Sequence, residues 1–208
     1  RRRWLLAAAV ASLAAAAASG ALYGTLLFVD KRAARAACPV TADRLAALDP
    51  LSRGEVAAFR AAPAPKAAPN LSFRRPDGTP ATLADFRGRT VLLNLWATWC
   101  EPCKREMPAL DRLQAELGGP TFTVVAVNMD TRDFGKPRQW LAAAGITRLD
   151  YYSDPEARIF RGLRETGLAE GLPTSLLVGP DGCGLGHLAG WAEWASPDAM
   201  ALVRAALP

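Results

Sequence analysis

Thr90-Val91-Leu92-Leu93-Asn94-Leu95-Trp96-Ala97-Thr98-Trp99-Cys100-Glu101-Pro102-Cys103 is the stretch that decides the fold. Its first seven residues are nearly all apolar, as in a strand buried on both faces. Two cysteines follow, three positions apart, with Pro102 between them. Proline suits the first turn of a helix, where the N–H that it lacks would have no partner anyway. The pattern predicts a helix over residues 102–117 with Pro108 inside it as a kink. A Cys-x-x-Cys pair can serve zinc as well as redox chemistry. A structural zinc site needs two more ligands, however, and no second pair is present. At a helix start the free N–H groups and the positive end of the dipole favour a thiolate on the first cysteine. Cys103, one turn deeper, is within reach for a small disulfide. We read Cys100 and Cys103 as a redox pair, with an inert structural disulfide as the alternative.

Working outward, residues 121–128 repeat the buried-strand pattern, so strand, helix and strand form a parallel pair with a right-handed crossover. Residues 136–144 read as a helix closed by Gly145. Ser153-Asp154-Pro155-Glu156 carries a cap residue and a proline suited to a first helical position. Residues 174–178 and 185–189 flank Pro180-Asp181-Gly182-Cys183-Gly184, a hairpin signal, and Ser196-Pro197 opens a last helix. Upstream, residues 71–75 and the turn Pro76-Asp77-Gly78-Thr79 suggest another strand. The fold class is α/β, a mixed sheet flanked by helices. Before it, residues 63–69 read as a stiff proline-rich connector. Residues 38–62 read as amphipathic helix, with Ser52 and Glu55 spaced as a capping box.

The chain has 208 residues, half of them apolar, and a formal charge of +5. That composition excludes disorder and a disulfide-dense miniprotein, and a single histidine excludes a multi-histidine metal site. Residues 1–37 hold six basic residues against Asp30 alone, which leaves nineteen residues of each sign from Cys38 onward. Nothing in that neutral remainder forms a basic footprint for nucleic acid. Residues 4–29 carry no charge and are long enough to span a hydrocarbon core as an N-terminal transmembrane helix. A cleaved signal peptide is the alternative, but the apolar run continues well past the small residues around 14–19. Lipidation at Cys38 is disfavoured by the intervening Asp30-Lys31-Arg32 and by Arg35. Three basic residues precede the run and three follow it, so charge does not set its orientation.

The block from Asp85-Phe86-Arg87-Gly88 to Cys100, continued by Lys104-Arg105-Glu106-Met107-Pro108-Ala109-Leu110, closely resembles the TlpA-type thiol:disulfide interchange proteins of the thioredoxin-like superfamily. Asn128-Met129-Asp130-Thr131-Arg132-Asp133, Leu172-Pro173-Thr174-Ser175, Gly182-Cys183 and Ala192-Glu193-Trp194-Ala195-Ser196 extend the likeness over nearly the whole chain. The resemblance implies a periplasmic dithiol reductant on a single-pass anchor in the bacterial inner membrane. Cys100 would attack a partner's disulfide and Cys103 would resolve the mixed disulfide. Pro173 matches the cis-proline loop that faces the cysteine pair in this superfamily; an edge-strand starter is the plainer alternative. Trp99 is expected to pack beside the pair and shield it, and Trp96 to lie in the core. The negative charge of Glu101, beside Pro102, works against the thiolate and so favours a reductant. Glu106 either tunes the thiols or assists proton transfer, or is a solvated helix residue. Thioredoxins commonly carry an acidic residue where this chain has Asn94, so a direct acceptor for the Cys103 proton is missing there.

In an oxidising compartment free thiols are a liability, so Cys38 and Cys183 are expected to join and pin the extension to the sheet. His187 reads as a surface residue. No cofactor or resident metal is expected. The expected division is an anchor (1–37), a helical extension with connector (38–69) and a thioredoxin-like domain (70–208). By resemblance the partners would be disulfide-containing periplasmic proteins, namely a copper chaperone and the copper-binding subunit of cytochrome oxidase. A membrane electron donor would supply the reductant, and lipid would hold the anchor. Alternatives are an apocytochrome c reductant for haem attachment, or a copper relay using Cys100, Cys103 and His187.

Overall fold

The computed structural model describes residues 38–133 and 135–208; the expected transmembrane helix at 4–29 lies outside them. Among the described residues no helix is long and apolar enough to cross a membrane. Cys38–Pro208 forms one compact unit. Its centre is an eight-stranded mixed sheet of β1 (Phe59–Ala61), β2 (Ser72–Arg74), β3 (Pro80–Thr82), β4 (Thr90–Trp96), β5 (Phe122–Asn128), β6 (Tyr152–Ser153), β7 (Thr174–Val178) and β8 (Gly184–Ala189). The strand order is β1-β8-β7-β4-β5-β6-β2-β3. The helices are α1 (Ala42–Ala46), α2 (Glu101–Leu117), α3 (Lys136–Ala143), α4 (Arg158–Glu165) and α5 (Pro197–Ala205).

All seven residues of β4 are buried, as its unbroken apolar pattern predicts. β4 runs parallel to β5 and antiparallel to β7, and Asn94 stands opposite Ala126 on one side and Ser175 on the other. The central strand thus delivers its C-terminal end to α2, which begins one residue earlier than expected and contains Pro108. The hairpin of β7 and β8 and the helix opened by Ser196-Pro197 also form. Ser196 caps α5 by accepting the Ala199 N–H at 3.2 Å.

Three expectations are corrected. Residues 38–62 are not one helix: α1 has five residues, two 3₁₀ turns follow at Asp49–Leu51 and Gly54–Val56, and the stretch ends in β1. Pro50 lacks the N–H a continuous helix needs and Gly54 adopts φ +53°, so the helical run breaks twice. β1 then pairs antiparallel with β8, where the Phe59 ring lies against Gly186 in the space that a Cβ there would occupy. The capping box is not at Ser52 and Glu55, since Ser52 Oγ instead donates to Leu48 O. A capping box forms at Thr82 and Asp85, where Thr82 N–H donates to Asp85 Oδ2 at 2.8 Å. Finally, α4 starts at Arg158, beyond the Asp154-Pro155 pair. Ala157 turns through φ +50°, and buried Asp154 accepts the Ile159 N–H at 2.8 Å across that turn.

The connector is extended, and it lies along the hairpin. Ala68 N–H donates to Gly182 O, Gly184 N–H donates to Lys66 O, and Ala67 bridges Cys183. Cys38 and Cys183 are bonded at a Cα–Cα distance of 5.6 Å, closing a separation of 145 residues. Val40, Leu45, Leu48, Val56 and Phe59 place the extension in the same hydrophobic core as the sheet.

Candidate dithiol site

The loop between β4 and α2 is held by its own sequence and by the end of β5. Thr98 donates twice to buried Asp130, from N–H to Oδ2 at 2.9 Å and from Oγ1 to Oδ1 at 2.8 Å. Asn128 Nδ2 donates to the same carboxylate at 2.6 Å, and Met129 N–H donates to Trp96 O at 2.8 Å. Two residues on from this clamp, Cys100 becomes the N-cap of α2, its Sγ accepting the Cys103 N–H at 3.3 Å. Cys100 and Cys103 are joined in a disulfide with a Cα–Cα distance of 5.3 Å, and both are buried. The cap geometry favours the Cys100 thiolate once the bond is reduced, because an anion there takes up an otherwise free N–H at the positive helix end.

The Leu172–Pro173 peptide is cis. Thr174 pairs with Leu95, so Pro173 sits at the end of β4 from which the cysteine motif departs. Thr174 is fully buried, and its Oγ1 donates to Gly171 O at 2.7 Å.

Glu106, one turn beyond Cys103, is only 1% exposed, which corrects the solvated alternative. Its Oε1 accepts from Asn94 Nδ2 at 2.5 Å and from Trp194 Nε1 at 3.2 Å, and its Oε2 accepts from Ala192 N–H at 3.0 Å. Those three donors favour the carboxylate, yet burial outweighs them and raises the Glu106 pKa to about 8. Asn94 Nδ2 also donates to Ser175 Oγ at 3.0 Å, while Asn94 Oδ1 is buried without a partner. The amide that stands where thioredoxins carry an acid therefore serves a carboxyl group on the next element.

Two further expectations change. Trp99 is 68% exposed, so it does not shield the pair: the Asp130 clamp fixes Thr98, and the next side chain is left in solvent. Glu101 is paired with Lys104 at 2.6 Å, and the hydrogen bond and charge of that lysine hold its carboxyl below the usual range. The Glu101 charge beside the thiols is thus partly offset. Trp96 is a core residue, packed at 5.6 Å from Trp140. His187 is half-buried on β8 opposite Arg60 and Leu176; burial first, then Arg60, lowers its pKa. Among the described residues no three His, Cys, Asp or Glu side chains gather to hold a metal.

Sequence reasoning missed the clamping role of Asp130 and the part played by Ala192 and Trp194. Asp130 was visible as Asn-x-Asp just past a buried strand, but no local pattern links residues 192–194 to Glu106. An open cleft of about 550 Å³ lies beside Arg74, Arg75, Arg138 and Tyr151, and neither cysteine of the motif lines it.

Fold and site together define a thioredoxin-like protein with a disulfide at the start of the helix that follows its central strand. The AhpC/TSA family profile matches residues 64–183, and the chain belongs to the AhpC/TSA family. It is 46% identical over 66 residues to the thioredoxin-like protein YneN of Bacillus subtilis, covering 32% of this chain and 38% of that one. To the thiol-disulfide oxidoreductase ResA of Bacillus anthracis it is 31% identical over 119 residues, covering 56% and 64%. The chain thus spans less than two thirds of the length of these curated relatives. A solved Chlorobium tepidum protein assigned as a thiol:disulfide interchange protein DsbE superposes with a TM-score of 0.54 at 31% identity, covering 67% of this chain and 92% of that one.

Proposed function

We propose that this protein is a TlpA-type thiol:disulfide oxidoreductase that works as a dithiol reductant, held in the bacterial inner membrane with its catalytic domain in the periplasm. The observation that carries the reading is the Cys100–Cys103 disulfide at the cap of α2, beside cis-Pro173 and the buried Glu106. In the reduced form the Cys100 thiolate attacks one sulfur of a partner disulfide, and the partner's other sulfur leaves as a thiolate. The Cys103 thiolate then attacks Cys100 Sγ, which frees the partner's second thiolate and leaves the Cys100–Cys103 disulfide. Two electrons pass to the partner, and a membrane donor must return them. Trp99, Glu101 and Pro102 flank the reacting cysteines along the chain and Glu106 lies one turn beyond Cys103, as supporting residues.

The proposed partners are cysteine pairs that bind copper, in a copper chaperone and in the copper-binding subunit of cytochrome oxidase. Thiolates are soft ligands that suit copper, and a disulfide cannot ligate it, so such sites need a reductant. Reduction of apocytochrome c for haem attachment is the second reading, favoured by Cys-Glu-Pro-Cys at the motif. Against it stands Thr174, a buried hydroxyl where many haem-maturation relatives carry an acid after the cis-proline. Replacing Cys103 with Ser traps partners on Cys100. Recovery of copper-binding proteins is the expected result, and recovery of apocytochromes would replace that partner with the second reading.

A further inference from the structure

Among the described residues only two large hydrophobic side chains stand exposed, Trp99 and Trp191, at 68% and 46%. Trp99 directly precedes Cys100. Trp191 belongs to the loop between β8 and α5, far along the chain, and two hydrogen bonds tie that loop to the cis-proline loop and to the helix that carries the cysteines. Gly190 N–H donates to Pro173 O at 3.0 Å, and Ala192 N–H donates to Glu106 Oε2 at 3.0 Å. Ala192 and Trp194 beyond it are buried. The backbone of Trp191 is therefore pinned between the cis-proline loop and the second turn of α2, while its ring faces solvent.

The Arg105 guanidinium lies over that ring, 5.5 Å from its centroid. Its neighbours on α2 are spoken for: Lys104 pairs with Glu101 at 2.6 Å and Arg112 with Glu193 at 2.7 Å. Arg105 pairs with no carboxylate among the described residues. A tryptophan held through its backbone, with an arginine on its face that attracts Glu101 but closes no ion pair among the described residues, is an arrangement that protein interfaces favour. The pair offers a large apolar area with little ordering cost, and a charge that a partner carboxylate can satisfy.

We propose that Trp191 and Arg105 form a docking shelf that selects disulfide partners carrying an apolar and an acidic side chain beside the attacked cysteine. The proposal rests on the disulfide-reducing reading above and specifies which partners that site takes. It extends recognition from the cysteine motif itself to a loop whose only link with the motif is tertiary.

The test uses the reduced full chain and three oxidised peptides that share one disulfide loop. One is flanked by Phe and Asp, one by Phe and Lys, and one by Ser and Lys. The Phe/Asp peptide is expected to be reduced with a kcat/KM about tenfold above that of the Ser/Lys peptide. In Trp191→Ala that ratio should fall towards one, with circular dichroism verifying the fold. Arg105→Glu, which leaves the tryptophan in place, should reverse the order of the Phe/Asp and Phe/Lys peptides. A wild-type ratio near one, or a ratio unchanged in both variants, overturns the shelf. So does a Trp191→Ala variant that loses self-association in sedimentation, or binding to anionic vesicles, while its peptide ratio is kept; the occupant is then a second copy or lipid. Failure of the wild-type chain to reduce any of the peptides overturns the underlying activity, and the shelf with it.

Discussion

Glu106 concentrates the electrostatic strain of the site in one side chain. Its carboxyl ordinarily titrates near 4.5, and in the fold it titrates at about 8 because burial outweighs three hydrogen-bond donors. The native state therefore holds a proton through neutrality that the unfolded chain has already lost. Stability then falls as pH rises from about 4.5 to about 8, and is flat in this respect above it, by a total on the order of 5 kcal/mol at roughly 1.4 kcal/mol per unit. Glu106→Gln cannot ionise, and urea unfolding between pH 5 and 9 should show this slope removed. A wild-type slope that survives the substitution would mean that another group carries it. The residue was legible only as a choice between two roles. Its spacing from Cys103 is local, but its burial is made by Ala192 and Trp194, which nothing in the helix sequence announces.

At the scale of elements, what decides legibility is whether a segment's surroundings are written in the segment itself. β4 and β5 are central, and their unbroken apolar runs say so. α2 and α5 carry their start signals in Cys100-Glu101-Pro102 and Ser196-Pro197. β1 is different: three residues become a strand because β8 presents Gly186 to the Phe59 ring and an open edge to pair with. Trp99 teaches the same lesson, since its exposure follows from Asp130 holding Thr98 from another strand. The extension is thus built into the sheet as well as tied to it by Cys38–Cys183. Removing that bond should weaken the fold without abolishing it. Closing so long a loop contributes up to about 4–5 kcal/mol in the chain-entropy model, while β1, the Arg53–Asp198 pair at 3.0 Å and the Lys66 and Ala68 hydrogen bonds remain. The doubly substituted Cys38→Ala, Cys183→Ala chain should keep its circular dichroism spectrum and melt at a clearly lower temperature. An unchanged Tm would show that the bond contributes nothing beyond those contacts.

For the whole molecule, charge and cysteine usage make one argument about place. The excess of positive charge lies entirely in residues 1–37, around an uncharged run, and the remainder is balanced at nineteen residues of each sign. All four cysteines are bonded, and Cys38 and Cys183 join segments 145 residues apart. A bond of that kind persists in an oxidising compartment and is rare where thiols are kept reduced. Basic residues at both ends of the proposed membrane segment would meet lipid headgroups on either side, so charge leaves the sidedness open, while the two disulfides support the proposed periplasmic placement. On the proposed placement, the chain including residues 1–37, produced in bacteria, should partition with the inner membrane and resist protease in intact cells. It should be clipped to a soluble fragment once the outer membrane is opened to give spheroplasts. Non-reducing peptide mapping of that fragment should recover the Cys38 and Cys183 peptides together. Protection in spheroplasts, with digestion only after lysis, would put the domain in the cytoplasm. A reducing cytoplasm would then leave Cys38–Cys183 open and Cys100–Cys103 with a different class of partner.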